Sequence, residues 1–223
     1  MVGITEDHCI PAARWTGQVI EEHTAHHAAI GGVLEKMDSP AGRDSGYSWA
    51  LYLSDWGRYM SPVAEGPAEY LTDCNVSYKR AALEPLRHLW EDEFHETTVN
   101  WALRDRGESL WLSPRVVVWQ QRSLSLGEAI GDRYGFGRLF ASTRVAATGP
   151  LKRLVYAVGS LLLPAILTAR VGSTVWRKRK ARGAFLRSLP ALVLTTTVWA
   201  SGELVGYITG RPPSSLDTGY DRP

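Results

Sequence analysis

The sequence contains very little cysteine, with only Cys9 and Cys74 among 223 residues. Two cysteines cannot build the disulfide framework that holds small secreted domains together, so that class of protein is excluded. The ordinary interpretation is a pair of small, half-buried side chains in a reducing compartment. No internal repeat is apparent either.

The chain also lacks a large excess of charge of one sign, because its 25 Lys and Arg residues are nearly balanced by 23 Asp and Glu residues. A net charge of +2 does not indicate nucleic acid, and none is predicted as a partner. The charges are nevertheless unevenly placed: acidic residues lie mostly before Asp132, and the clustered basic residues and longest apolar runs follow it. This shift predicts a soluble domain followed by a membrane-associated segment.

The first residues are polar and acidic, so they lack the basic and then apolar pattern of a signal peptide. We therefore expect the catalytic part to remain in the cytoplasm.

Strand and helix signals alternate through the first half of the chain, which predicts an α/β domain. Helices are expected over 12–28 and 49–60 and over 91–107, where Gly107 would follow the last turn. Strands are expected over 2–5, 28–37 and 71–80, with two short ones around Ser113-Pro114. The pair Gly31-Gly32 predicts a close approach of two backbones.

The last third has two apolar stretches, 154–167 and 189–210, separated by the basic residues 177–182. They predict a membrane-associated helical hairpin over 151–210, followed by a disordered tail over 211–223. Because the basic loop should stay on the cytoplasmic side, we expect a shallow or re-entrant pair in the inner or plasma membrane. A soluble buried hairpin is the alternative.

An acidic triplet, Glu6-Asp7-His8, follows the first strand within the segment TEDHCIPAARW. Hard ligands at a strand end suit a divalent cation, and an imidazole can replace one carboxylate. Pro11 and Trp15 follow the triplet in the same segment and are counted as part of this pattern. A polar turn capping a helix would explain the same residues without a metal.

Three further sequence segments are used below together with the acidic triplet. The first is IGGVLEK, which contains the Gly31-Gly32 pair. The second is DCNVSYKRAAL, which contains Asn75, Tyr78 and Arg80. The third is EDEFHETTVNWALRDRG, in which Glu96 lies about three helical turns before Gly107. Glu91, Asp92 and Glu93 compete with Glu96 for any catalytic role, and a solvated first helical turn explains all four.

Together the four patterns resemble the family 2 glycosyltransferases, and the resemblance extends from residue 2 to about residue 210. It implies a partial GT-A domain over 1–150, with interfacial helices at its end. The implied activity is an inverting transfer of sugar from a nucleotide-sugar donor to a glycan, lipid-linked or membrane-proximal acceptor, with membrane lipids as a further partner.

The resemblance also assigns roles. Glu96 would be the general base, and Glu6 and His8 would hold Mn²⁺ or Mg²⁺. Donor and acceptor would contact five residues, of which Asp7 belongs to the acidic triplet: Asp7, Asn75, Tyr78, Arg80 and Arg138. Arg133, Tyr134 and Arg138 could contact either the diphosphate or acceptor, or lipid headgroups.

The chain lacks the Val-Asp-Asp-Gly-Ser-like stretch with which such enzymes hold the nucleotide. We therefore expect a truncated chain, inactive alone unless a second chain supplies the amino-terminal half. Two alternatives remain open: a catalytically inactive remnant, and a membrane-anchored binding module without enzymatic ancestry. His23, His26 and His27 are interpreted as solvated surface residues rather than metal ligands.

Overall fold

The computed structural model describes residues 1–37, 46–92, 94–121, 124–145 and 148–213. The chain forms two compact units, residues 1–42 with 58–122 and residues 43–57 with 123–223. The domain bounds expected from the sequence, at 150 and 210, stay a prediction. Most of the expected tail, 214–223, lies outside the described residues.

The first unit contains a mixed sheet of six strands among the described residues. The strands are Val2–Ile4 (β1), Cys9–Pro11 (β2), Ala29–Lys36 (β3), Gly66–Pro67 (β4), Val76–Tyr78 (β5) and Leu110–Gln120 (β6). Their order is β1-β5-β3-β6-β2, and β4 pairs with β6 off this path. Strands β3 and β6 are parallel, whereas β5 is antiparallel to both of its neighbours. A mixed α/β class is confirmed.

Eight α-helices are described, and two short 3-10 helices, Asp73–Asn75 and Glu84–Leu89, accompany them. The α-helices are Trp15–Glu22 (α1), Gly46–Asp55 (α2), Arg80–Leu83 (α3), Glu96–Asp105 (α4), Leu126–Val145 (α5), Pro150–Ser160 (α6), Leu163–Lys178 (α7) and Arg182–Thr209 (α8). Gly107 follows α4 with φ of +77°, as expected for the residue that ends a helix.

Two expectations were wrong in detail. The first helix is Trp15–Glu22 rather than 12–28, and it begins late because Pro11 belongs to β2, an edge strand in which a proline is tolerated. The segment around Pro114 is one strand, β6, rather than two. Its pairing with β3 is irregular between Gly32 and Val33, so the proline falls where the ladder is interrupted.

The close approach predicted at the glycine pair is confirmed at Gly32. A Cβ atom there would lie 1.9 Å from the carbonyl oxygen of Val116 and 2.7 Å from Nδ2 of Asn75. No side chain fits, so β3 and β6 pack at this point only because residue 32 is glycine. The core behind the sheet is apolar and includes Leu71, Tyr78, Val99 and Leu103.

The second unit is helical, and α8 is its longest element. Among the described residues, only α8 is by itself long and apolar enough to cross a bilayer. Helices α6 and α7 meet that test only as a pair, and they are bent by 60° at their break. Core helices of soluble proteins have the same length and composition, so a membrane span stays a prediction.

Candidate functional site

The turn after β1 carries the acidic triplet, and the side chains of Glu6 and His8 face each other across it. Oε2 of Glu6 lies 2.6 Å from Nε2 of His8. The other ring nitrogen, Nδ1, lies 3.0 Å from Oδ1 of Asp7, whose side chain is almost fully exposed. The backbone N–H of Cys9 donates to the carbonyl oxygen of Glu6 at 3.0 Å and closes the turn.

A second segment reaches the same turn from the 3-10 helix Asp73–Asn75. Thr72 caps this helix, since its side chain accepts from the backbone N–H of Cys74. The buried thiol of Cys74 donates to Oε2 of Glu6 at 3.0 Å, although the two residues are 68 positions apart. Two of the sequence patterns, the triplet and the Asn75 segment, therefore meet at Glu6.

Four metal-ligand atoms converge here, one each from Glu6, His8, Cys9 and Cys74, and all lie within 4.8 Å of one another. Burial lowers the pKa of His8, but the hydrogen bond and negative charge of Glu6 outweigh it, so this pKa is raised. A hydrogen bond between the side chains of Cys9 and Cys74 lowers the pKa of Cys9. The donor set contains two thiols and one carboxylate, which is softer than Mn²⁺ or Mg²⁺ prefer.

Glu96, the expected general base, is the first residue of α4 and is half-buried. The hydroxyl of Tyr70 donates to its carboxylate, and the hydroxyl of Thr97 lies 3.2 Å from the same oxygen. Burial and then the charge of Glu96 raise the pKa of Tyr70, which keeps that phenol a donor. The competing Glu91 and Asp92 are exposed and precede the helix, and Glu93 lies outside the described residues.

Asp73 links the two parts of this region. Burial, followed by the negative charges of Glu96 and Glu6, raises its pKa to about 7. Because each of those charges acts on Asp73, the three carboxylates form one electrostatic group. We call Glu6, Asp73 and Glu96 the carboxylate group.

Asn75 is fully buried, and all of its described contacts are with the protein. Its Oδ1 accepts from Nε1 of Trp15 at 2.9 Å. Its Nδ2 donates to the carbonyl oxygens of Val33 and Val116 at 2.9 and 3.0 Å. These bonds hold the 3-10 helix against α1, β3 and β6, so the geometry gives Asn75 a positioning role, and direct ligand contact stays a prediction.

The other predicted contact residues are spread over the chain. Tyr78 is fully buried, and its hydroxyl donates to Oδ1 of Asn100 at 3.3 Å. Arg80 is exposed at the start of α3. Arg138 lies on α5 in the second unit. Arg133, on the same helix, is buried and donates to Asp55 at 2.5 Å, which makes it a structural ion pair.

The interpretation of the three histidines as surface residues was wrong for His23. It is buried, and its Nε2 lies 2.9 Å from Oγ of Ser77. His27 stacks on Trp111 with ring centroids 4.2 Å apart. His26 is exposed, as expected.

Sequence reasoning missed four members of this region: Tyr70, Asp73, Cys9 and Cys74. One signal was present, since Asp73 and Cys74 directly precede Asn75 in the segment DCNVSYKRAAL. Nothing local to Tyr70 distinguishes it from the other eight tyrosines.

No protein-family model matches this chain, and no curated protein matches it. The resemblance to family 2 glycosyltransferases thus depends on the local patterns alone.

Proposed function

We propose that this chain is the carboxy-terminal part of an inverting glycosyltransferase with a partial GT-A fold. One observation carries the proposal. Glu96, the residue that the resemblance makes the base, belongs to the same carboxylate group as Glu6 of the acidic triplet. The geometric support is that the thiol of Cys74 donates to Oε2 of Glu6 at 3.0 Å, and that the neighbouring Asp73 responds to the charge of Glu96.

In the proposed reaction, an acceptor hydroxyl attacks the anomeric carbon of the donor sugar. Glu96 takes the hydroxyl proton, a new C–O bond forms, and the bond to the nucleoside diphosphate breaks with its electron pair on the leaving oxygen. Tyr70 positions Glu96 through its hydroxyl. Asp7 and Arg80, both exposed, are proposed to contact the donor or the acceptor.

A divalent cation at Glu6 and His8 would neutralise charge on the leaving diphosphate. Mn²⁺ or Mg²⁺ remains the prediction that follows from the resemblance, although the thiols beside these residues favour a softer ion.

Attachment to a membrane is supported by an apolar stripe on α6 and the start of α7. Seven large apolar side chains at helical spacing are between 48% and 75% exposed: Leu151, Leu154, Val155, Val158, Leu161, Leu162 and Ile166. Lys152 and Arg153 lie beside it, as anionic headgroups would favour. We propose that this stripe contacts the cytoplasmic leaflet, near a lipid-linked acceptor.

The test is sugar transfer by the full chain in native membranes, alone and with an upstream nucleotide-binding half supplied as a second chain. A panel of radiolabelled nucleotide sugars and extracted lipids covers the donor and acceptor classes. Glu96→Gln should lower turnover by about 10²–10⁴-fold, the contribution of a general base. Donor binding should change little.

Glu91→Gln is the matched control, because it removes an exposed carboxylate just before the same helix. If Glu91→Gln is the crippling change, the assignment of the base is wrong. No transfer under any condition, with a correctly folded chain, would favour the inactive remnant or the non-enzymatic module.

A further inference from the structure

We propose that Glu6, His8, Cys9 and Cys74 form a four-coordinate site for a thiophilic divalent cation, for which Zn²⁺ is the best match. We call these residues the four-donor site. This inference concerns which metal the chain binds, and it does not depend on the proposed sugar transfer. It differs from the Mn²⁺ or Mg²⁺ prediction in two ligands and in the class of ion.

The chemistry of the donors selects the ion. Thiolates and imidazoles bind Zn²⁺ in closed, four-coordinate sites, and a carboxylate is an accepted fourth ligand. Mg²⁺ requires near-octahedral oxygen coordination with several waters, but only Glu6 offers an oxygen here. Both thiols are buried, with Cys9 7% and Cys74 0% exposed, which leaves little room for a hydration shell.

The spacing of the donors is close to what a tetrahedral ion needs. Metal–ligand distances of about 2.0–2.3 Å place tetrahedral donor atoms roughly 3.3–3.8 Å apart. The four donor atoms lie within 4.8 Å of one another. Oε2 of Glu6 lies 2.6 Å from Nε2 of His8 and accepts a hydrogen bond from Sγ of Cys74 at 3.0 Å. These two pairs would separate by less than about 1 Å when a cation takes the place of the shared protons.

A second, independent observation is the position of Asp7. Histidines that bind metals almost always give their other ring N–H to a carboxylate or carbonyl, which fixes the ring and its tautomer. Nδ1 of His8 lies 3.0 Å from Oδ1 of Asp7, so Nε2 faces Glu6 and the cysteines. The Asp7 carboxylate is otherwise almost fully exposed, and this orientation of His8 gives it a specific role.

The backbone holds the donors from two separate segments. Cys9 begins β2 and pairs with Gln120 on β6, while Cys74 lies in the 3-10 helix that Thr72 caps. An ion bound here would connect residues 65–68 positions apart in sequence and hold the turn after β1 against the 3-10 helix. Such a site would contribute to folding as well as to any chemistry.

Cobalt spectroscopy provides the test, because tetrahedral Co²⁺ bound to thiolate has intense ligand-field bands and a sulfur-to-metal charge-transfer band. The full chain is purified in detergent through a tag without histidine, stripped with chelator and kept reduced with a phosphine. We expect one equivalent of Co²⁺ to give this spectrum and one equivalent of Zn²⁺ to abolish it. A large excess of Mg²⁺ or Mn²⁺ should leave it unchanged.

The variants follow from the geometry. Because Cys9 and Cys74 are the only cysteines, Cys9→Ser with Cys74→Ser should remove the charge-transfer band entirely. Asp7→Asn should keep the spectrum but weaken affinity by about 10–100-fold, as for other residues that orient a ligand. His26→Gln is the matched control, since this exposed histidine lies outside the site, and it should change nothing.

A weak octahedral spectrum, displacement by Mg²⁺, or an unchanged charge-transfer band in the double cysteine variant would overturn the proposal. If the cysteine variants fail to fold, alkylation of the unmodified chain decides instead. Zn²⁺ should slow the labelling of both thiols, and chelator should restore it. Equal labelling rates, or a Cys9–Cys74 disulfide that resists the phosphine, would exclude the site. Zinc binding without sugar transfer would leave this inference intact.

Discussion

The two compact units differ in how their buried, uncharged polar side chains are satisfied. In the first unit, buried side chains bond to distant segments: Nδ2 of Asn75 to Val33 and Val116, and Nδ2 of Asn100 to Leu71 at 2.7 Å. In the second unit, buried hydroxyls return to their own helix. Thr196 donates to Leu192 at 2.8 Å, and Ser188 donates to Phe185 at 3.0 Å.

Apolar side chains show the complementary difference. The first unit buries most of its large apolar residues and exposes a few separate ones, such as Ile20 and Trp101, whereas α6 and the start of α7 expose seven close together in sequence. The helices of the second unit pack instead through glycine: a Cβ at Gly202 would lie 2.2 Å from the carbonyl oxygen of Tyr134. Local polar satisfaction and small-residue helix contacts are the features that permit a structure in lipid. The first unit depends on its long-range network.

The largest expected effect is that of Asn75→Ala, which removes three hydrogen bonds at once. Each group left without a partner costs about 1–3 kcal/mol, so the free energy of unfolding should fall by about 3 kcal/mol or more. Chemical denaturation followed by tryptophan fluorescence measures this. Thr16→Ala, at an exposed position of α1, is the control and should change stability by less than about 0.5 kcal/mol.

If the variant keeps its stability but loses sugar transfer, Asn75 contacts a ligand and does not stabilise the fold. The long-range hydrogen bonds would then not be what distinguishes the first unit from the second.

The next effect concerns Gly202→Leu in the second unit. The added side chain would meet the backbone of α5 at Tyr134 and Arg138, so α5 and α8 must separate. Overpacking of this kind costs about 1–3 kcal/mol. Thermal unfolding in detergent, followed by circular dichroism, should show it. Gly131→Ala on α5, where a Cβ meets nothing within 4 Å, should be neutral or slightly stabilising.

If both glycine substitutions behave alike, close packing of α5 and α8 is not what holds the second unit together.

A pH dependence should appear in the first unit through Asp73. Its pKa is raised to about 7 in the folded chain by burial and then by the charges of Glu96 and Glu6. A raised pKa favours the protonated folded form, so this contribution is fully present below about pH 4 and is lost as the pH rises through about 7. The full shift would correspond to at most about 4 kcal/mol, and screening at the partly exposed Glu6 reduces our expectation to about 2 kcal/mol.

Asp73→Asn should therefore stabilise the chain at pH 8 and have little effect at pH 4, when both are measured with chelator present. Asp105→Asn, on an exposed carboxylate at the end of α4, provides the comparison. A gain of equal size at both pH values would mean that charge is not the cause.

The smallest effect on stability, with a large effect on location, is expected for Leu154→Gln combined with Val158→Gln. Both side chains are about 60% exposed, so unfolding should change by less than about 0.5 kcal/mol. Membrane binding should weaken by tenfold or more, because burying one such side chain contributes about 1.5–3 kcal/mol. Sedimentation with anionic vesicles measures this.

Ile20→Gln removes an exposed apolar residue from the first unit and should leave vesicle binding unchanged. Equal losses in the two variants would contradict the assignment of the membrane contact to α6 and α7.

Several elements were predictable because their signals are local. The Gly31-Gly32 pair marked the close approach of β3 and β6, and Gly107 marked the end of α4. The start of α4 was predicted at residue 91 and lies at Glu96, because a run of acidic residues suits any first helical turn. The prediction of two short strands around Pro114 was wrong. A proline removes one backbone hydrogen bond at its own position, and β6 continues beyond it.

The sequence by itself determined the α/β class, the two apolar helical segments and the presence of an acidic turn after the first strand. Only the tertiary structure decided which side chains share that turn. Cys74 reaches Glu6 over 68 positions, and Glu96 acts on Asp73 over 23. No sequence periodicity or motif spacing predicts either interaction. The strand order, with β5 paired between β1 and β3, brings these residues together. For the same reason, only the tertiary structure shows that Asn75 is buried and bonds to three distant segments, while its predicted ligand contact stays a prediction.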